Sequence, residues 1–149
     1  MRIDIDYLAR ILDLFLEADT AHIEIPDFPK LGMKIEDESN PGGLDEEFLF
    51  HLQLAIENEL ISNKDMYVDG LKSVGIRIGG GGSISLTSVP IRLTQNGHDF
   101  ANALHNKEVL SKLKSELKDA PFKTIFDGSQ KLLEHFFKKK LDNLISEGA

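Results

Sequence analysis

The apolar positions near the start of the chain change from helical to strand-like spacing. Between residues 5 and 16, apolar side chains recur at every third or fourth position, which predicts a helix capped by Asp4 or Asp6. Residues 21–25 alternate apolar and polar side chains, which predicts a half-buried strand that ends at Pro26. The chain is therefore expected to begin with a helix followed by a strand.

The middle of the chain predicts a loop, a second helix and a set of short strands. Residues 27–43 hold two prolines and three glycines and indicate a long loop, after which Asp45 caps the helix EEFLFHLQLAIENELI. Segment 66–94 has short apolar runs separated by glycines, and Gly79–Gly82 suits the tip of a hairpin. From Gln95 onward the pattern is helical in three pieces, with boundaries at Asn106, at Asp119 before Pro121, and at Ser129 after Gly128.

The stretch PIRLTQNGHDFANAL, residues 90–104, predicts how the last strand meets the next helix. The hydroxyl of Thr94 suits an N-cap that accepts hydrogen bonds from the backbone of the first helical turn. Gly97 leaves room where this turn lies close to the sheet, and Phe100 and Leu104 direct one helix face into the core. We therefore expect structural roles for Thr94, Gly97 and Phe100.

The order of helix, strand, helix, glycine-tipped hairpin and helix predicts an α+β fold. A strand that runs into Leu-Thr-x-x-Gly is similar to the last wing strand of winged-helix domains, and HLQLAIENELI resembles the helix before the wing. We expect a winged-helix-like core over residues 1–104, with a small antiparallel sheet and a glycine-rich wing. Residues 105–149 are expected to form a helical extension that packs on the core or on a partner chain.

These segments together resemble a bacterial and prophage family known as domain of unknown function 2513. Residues 51–61 are similar to its helix pattern H-x-x-L-L-x-x-x-G-L-I, and residues 93–101 are similar to L-T-W-x-G-H-E-F-L. The tail FKTIFDGSQKLLEHFFKKKL is also similar to the helical end of that family. The resemblance covers most of the chain, leaves out the insert at 27–43, and implies a fold without an established activity.

The chain departs from the family pattern at two positions. Gln95 stands where the family has Trp, and Glu59 stands where it has the glycine of the helix stop. We expect Asn58 to take the left-handed turn instead, because asparagine tolerates that conformation better than most residues.

Charge is unevenly distributed along the 149 residues, whose net charge is −8. Residues 1–65 carry 5 basic and 16 acidic side chains, whereas residues 107–140 carry 9 lysines and 5 acidic side chains. The two regions can attract each other within one chain or between two chains. Aspartates interrupt the apolar start and no run is long enough to span a bilayer, so a soluble, cytoplasmic protein is expected.

Candidate catalytic and metal-binding patterns are weak. His98 and Asp99 are adjacent, so on a helix they point about 100° apart and do not orient each other. The five histidines lack metal-ligand spacing, there is no cysteine, and no Gly-Lys-Ser/Thr follows the glycine run. We therefore expect no catalytic residue, metal or cofactor, and an enzyme built on His98 or His51 remains a third alternative.

The second helix is apolar on two sides. Phe50 and Leu54 lie nearly opposite the stripe that faces the core, among Glu46, Glu47, Gln53 and Glu57. The C-terminal sequence supplies a second apolar stripe beside three consecutive lysines, and its apolar members are Leu133, Phe136, Phe137, Leu141, Leu144 and Ile145. We expect this tail to cover the second helix, either within the chain or from a second copy.

The sequence therefore favours a non-enzymatic module for protein–protein interaction, with a protein partner or a homo-oligomer. The expected contact residues are Phe50, Leu54, Glu47, Glu57, Phe137 and Lys138. The alternative is a DNA-binding transcriptional regulator that uses its wing and basic tail, with contacts from Lys72, Arg77 and Arg92. Tight DNA binding is not expected, because the helix after Asp45 has no lysine or arginine to neutralise phosphates.

Overall fold

The computed structural model describes residues 1–148 as an α+β fold, as the sequence predicts. Its helices are α1 (Ile5–Glu17), α2 (Asp27–Lys30), α3 (Glu46–Glu57), α4 (Gln95–His105), α5 (Lys107–Glu116) and α6 (Phe122–Glu147). Its strands are β1 (Ile61–Asn63), β2 (Ile76–Ile78), β3 (Ile84–Leu86) and β4 (Ile91–Leu93), with a 3₁₀ turn at Leu71–Val74. One continuous apolar core contains side chains from Ile5 through Ile125.

The first and third helices are joined at their N-terminal ends by a buried histidine. The side chains of Asp4 and Asp45 cap α1 and α3 by accepting from backbone N–H groups three residues further on. His51 Nε2 accepts from the Asp4 backbone N–H at 2.9 Å, and Nδ1 donates to the Glu47 carbonyl at 2.7 Å. The bond to Asp4 links α3 to the start of α1, and the bond to Glu47 lies within α3 and orients the ring.

Two short antiparallel pairs form the sheets. β1 pairs with β4 so that Ile61 faces Leu93, and β2 pairs with β3 in a hairpin whose tip contains Gly79–Gly82. The predicted strand at residues 21–25 is reduced to a single bridge between Ile23 and Ile91. The reason is local, because the backbone of Glu24 exchanges hydrogen bonds with Asp27 at the start of α2 instead of continuing a ladder.

The segment predicted as a loop, residues 27–43, contributes to the core. Phe28 in α2 is fully buried and meets the ring of Phe48 edge-on, with ring centroids 5.5 Å apart. Met33 and Ile35 are also buried. The expectation of a long loop missed the short helix α2 and these buried apolar residues, because the prolines and glycines dominate the sequence of the segment.

From Gln95 onward the chain forms three helices, as predicted, but one of the predicted boundaries is absent. Asn106 caps α5, and α6 begins after Pro121, as predicted. The predicted break at Ser129 is wrong, because α6 runs unbroken through Gly128 to Glu147. A Cβ at Gly128 would come within 2.9 Å of the Leu117 side chain, so this glycine allows close helix packing and does not end a helix.

The first turn of α4 sits directly on the turn between α3 and β1. The Thr94 hydroxyl accepts from the Gly97 N–H at 2.9 Å and donates to the Glu59 carbonyl, and the Thr94 N–H donates to Leu60 at 3.0 Å. A Cβ at position 97 would lie 1.9 Å from the Leu60 carbonyl oxygen. Glycine is therefore required at position 97 by contact with the backbone, and Thr94 is both a cap and a link between two segments.

Phe100 extends this junction to the last helix. Its side chain is fully buried, and its ring centroid lies 5.6 Å from that of Phe122 and 5.4 Å from that of Phe126. Because both partner rings belong to the first turns of α6, this cluster fixes the start of α6 on α4.

The helix stop after α3 differs from the expected one. Asn58 has φ −91° and Glu59 has φ 57°, so Glu59 takes the left-handed conformation that was expected of Asn58. The Asn58 side chain instead donates to the Leu54 carbonyl at 2.9 Å and closes the last turn of α3. Asn58 therefore caps the C-terminal end of α3, and the left-handed turn falls on Glu59.

We predict that Thr94→Ala lowers the free energy of unfolding by about 1–2 kcal/mol, because it removes a helix cap and the donor to the Glu59 carbonyl. Thr94→Ser retains both hydrogen bonds and is expected to lose much less. Urea unfolding of the two variants measures this difference. Equal losses would show that the hydroxyl does not hold the junction.

We predict that Glu59→Gly raises the free energy of unfolding by about 1 kcal/mol, because glycine adopts a left-handed conformation without the steric cost that a side chain carries. Asn58→Gly is the matched control and is expected to destabilise, since it removes a hydrogen bond at an ordinary φ. Glu59→Gln removes the charge but keeps a side chain in the left-handed conformation, so it separates the effect of charge from that of the backbone. Stabilisation by Gln as large as that by Gly would contradict the backbone explanation.

Candidate interaction surface

The long helix α6 has a packed half and an uncovered half. Its first half packs on α4 and α5, and Ile125 and Ser129 are buried there. Leu133 and Phe136 are half-buried, and every residue from Phe137 to Gly148 is exposed. We call residues 134–147 the distal segment. At 1.5 Å per residue the whole helix is about 39 Å long, so the distal segment accounts for about 20 Å of it.

Four large apolar side chains lie exposed on the distal segment. Their relative exposures are 54% for Phe137, 56% for Leu141, 58% for Leu144 and 63% for Ile145. At 3.6 residues per turn the four fall within an arc of about 100°, which is one face of the helix. We call this set the apolar stripe, and it is continuous with the half-buried Leu133.

Lysines border the apolar stripe on both sides. Measured around the helix from Leu141, Lys138 lies about 60° to one side and Lys140 about 100° to the other. Lys139 lies about 160° away and therefore on the opposite face. None of these three lysines forms an ion pair with any of residues 1–148. Lysines therefore lie on both borders of the stripe, while Glu134 lies within its arc and Asp142 lies beyond Lys138, about 100° from Leu141.

The outer face of α3 has the complementary composition. Phe50 and Leu54 are half-buried, and the glutamates around them at positions 46, 47 and 57 are exposed. Within the described chain, residues 1–148, these glutamates make no ion pair. We call Phe50, Leu54 and these three glutamates the acidic face of α3.

Tyr7 packs beside α3, and the negative charge nearby affects the pKa of its phenol. Burial and the carboxylates of Asp45 and Glu47 together raise the pKa of Tyr7 to about 12, and burial is the largest cause. The phenol is therefore protonated at physiological pH. The ring centroid of Tyr7 lies 4.7 Å from that of the buried His51.

The tail does not cover the acidic face within one chain. The residues expected to meet it, among them Phe137 and Lys138, belong to the exposed distal segment. Because α6 is unbroken at Gly128, its distal segment continues along the helix axis beyond the packed half. The intrachain attraction between the acidic and basic regions is made elsewhere, with Lys114 Nζ 2.7 Å from Asp6 Oδ2, between α5 and α1.

The three cations expected to contact DNA lie on different elements. Lys72 is exposed in the 3₁₀ turn, and Arg77 is exposed on β2. Arg92 is half-buried on β4, which belongs to the other sheet, and lines a shallow hollow with Glu59 and Thr94. The structure therefore offers these cations on separate short elements rather than along one helix.

The two histidines considered for catalysis have different surroundings. His98 is exposed in the first turn of α4, and its neighbour Asp99 accepts from the Gln95 side chain at 2.9 Å. His51 is buried, and both of its nitrogens hold backbone groups. Within residues 1–148, no three acidic or histidine side chains come close enough together to hold a metal ion.

Sequence reasoning identified the apolar stripe but not its boundary with the packed half of α6. Leu133 and Phe136 share the helical spacing of the exposed residues, yet both are half-buried, and Leu133 packs against the core. The role of His51 was also missed. The sequence signal for it is a histidine on the side of α3 that faces the core.

Comparison with protein-family models, with curated proteins and with solved structures finds no match for this chain. None of the helices formed by residues 1–148 has the length and apolar character needed to cross a membrane.

Proposed function

We propose that this protein is a non-enzymatic module for protein–protein interaction, whose folded body presents the distal segment of α6 to a protein partner. The observation that carries the proposal is the apolar stripe, with four large side chains each more than half exposed on one helix face. The other large apolar side chains that are exposed are Met1, Leu31, Ile78 and the adjacent pair Met66 and Tyr67, none of them on a long helix.

The free energy that is forgone while these side chains stay exposed supports a binding role for the apolar stripe. Complete burial of a Leu, Ile or Phe side chain is worth about 1.5–3 kcal/mol, so four half-exposed side chains forgo several kcal/mol. Isolated exposed apolar residues are ordinary on proteins, whereas contiguous ones mark contact sites. From Phe137 to Gly148 every residue is exposed, so this part of the chain gains little stability from packing on its own body.

We also propose that the body has winged-helix-like topology. Ile23 pairs with Ile91 on β4, and β4 pairs with β1, which places β4 between the two other extended segments. This order, with α3 before β1 and the β2–β3 hairpin between β1 and β4, is the arrangement expected of such a fold.

Membership of the domain of unknown function 2513 family is a proposal supported by two positions. Glu59, which stands where that family has glycine, adopts the left-handed conformation that glycine favours. Gly97, which stands at the glycine of the second motif, is required by its contact with Leu60.

The alternative function, DNA binding through Lys72, Arg77, Arg92 and the basic tail, has less support. In a winged-helix-like body α3 would be the helix nearest the major groove, and its exposed charges are the glutamates of the acidic face. Phosphates repel such a surface, and affinity for DNA rests largely on neutralising them.

Site-specific photo-crosslinking in living cells tests the proposed function. A photoreactive amino acid at position 141 is expected to give covalent adducts with protein, whereas the same group at position 139, on the opposite face, is expected to give few. The substitutions Phe137→Ser and Leu144→Gln are expected to reduce the adducts at position 141 by about tenfold, while the amides of α4 stay protected from hydrogen exchange.

An absence of protein adducts at position 141 would contradict the proposal. Tight binding of random duplex DNA at physiological salt, lost on Arg77→Ala and Arg92→Ala, would establish the alternative.

A further inference from the structure

We infer that the partner of the distal segment is a second copy of this chain, and that the apolar stripe of each copy lies across the acidic face of α3 of the other. The inference rests on the proposed function and names the occupant of the same surface. The resulting dimer has two equal contacts related by a twofold axis, which is the commonest symmetry of protein dimers.

Charged side chains border two apolar surfaces that lack partners within residues 1–148. Two lysines, Lys138 and Lys140, border the apolar stripe on opposite sides, and the acidic face places glutamates around Phe50 and Leu54. Measured from the midpoint between Phe50 and Leu54, Glu47 lies about 40° to one side, and Glu57 about 40° to the other. At the turn around Leu141 the strip on α6 is therefore flanked by a lysine on each side, with Glu134 and Asp142 also near it, and the strip on α3 is flanked by glutamates.

The apolar side chains of the two surfaces match in spacing. Phe50 and Leu54 are four residues apart, and so are Phe137 and Leu141, so each pair spans about one helical turn. When two such helices pack, the residues of one turn fit between those of the facing turn. The remaining exposure of Phe50 and Leu54 is thereby removed together with that of the apolar stripe.

The contact between the apolar stripe and the acidic face forms between chains rather than within one. A straight α6 keeps its distal segment exposed, and its first half is held on α4 by the Phe100, Phe122 and Phe126 cluster. The Lys114–Asp6 pair shows that α5 remains on α1 in the same chain. The distal segment therefore reaches a second copy without any change in the packing of its own body.

A self-paired stripe, with one distal segment against another, explains less. It leaves the acidic face uncovered, and it brings lysines at the border of one stripe close to those of the other. It is therefore an outcome that the experiment separates from the proposed contact.

Single-cysteine variants test the contact directly, because the natural chain has no cysteine. Full-length Leu54→Cys and Leu141→Cys are expected to remain largely uncrosslinked alone under mild oxidation. After the two are mixed and allowed to exchange subunits, a disulfide-linked dimer is expected, containing one chain of each kind. Leu54→Cys mixed with Lys139→Cys is the matched control and is expected to give at least tenfold less product.

Charge reversal provides the second measurement. The dissociation constant of the dimer, from light scattering over a dilution series, is expected to rise about tenfold or more in Lys138→Glu/Lys140→Glu. Glu47→Lys/Glu57→Lys is expected to weaken the dimer similarly, and an equimolar mixture of the two double variants is expected to recover association. Lys139→Glu, which changes the same charge on the opposite face, is expected to have little effect.

The outcomes separate the two levels of the proposal. Disulfide formation by Leu141→Cys alone would replace the acidic face with a self-paired stripe. A monomer at all concentrations, with photo-crosslinked adducts that contain a different protein, would overturn this inference and leave the proposed function in place. A monomer without adducts would overturn both.

Discussion

The contact between the first turn of α4 and the Leu60 carbonyl is the constraint on which the rest of the structure depends. No side chain fits between them, so residue 97 is glycine, and Thr94 bonds to both backbones at this point. The left-handed turn at Glu59 aims the Leu60 carbonyl at α4. The cap at Thr94 and the nearby Gly97 thus form one structural unit with a helix stop that lies 35 residues earlier, at Glu59.

This unit determines where the last helix lies. With α4 held against the end of α3, Phe100 meets the first turns of α6 and fixes its direction, and Gly128 lets α6 pass close to Leu117. Because no break follows, α6 continues beyond the body and carries the apolar stripe with it. The exposed surface is therefore a consequence of tight packing upstream rather than of a loosely attached tail.

Much of the fold was predictable from local signals. Helices with regular apolar spacing and clear caps, such as those begun by Asp45, Thr94 and Asn106, formed as the sequence indicates. The errors arose where tertiary contacts override local preference. Gly128 resembles a helix breaker until the neighbouring Leu117 is known, and Asn58 resembles the left-handed residue until its bond to Leu54 is known.

The candidate surface was predictable in composition but not in arrangement. Periodicity identifies the apolar stripe and the acidic face separately, because each depends only on the spacing along one helix. Whether the two meet in one chain depends on the direction of α6, which is set by the Phe100 cluster and by the unbroken helix at Gly128. Those are contacts between residues far apart in sequence, so no local pattern reveals them.

The central claim is that the distal segment is stabilised by association. Amide hydrogen exchange of the intact protein, measured across a range of protein concentrations, tests it most directly. The account predicts that amides of residues 138–147 exchange rapidly in dilute solution and become protected as concentration rises, while those of α4 stay protected throughout. Protection of residues 138–147 that does not depend on concentration would contradict the account.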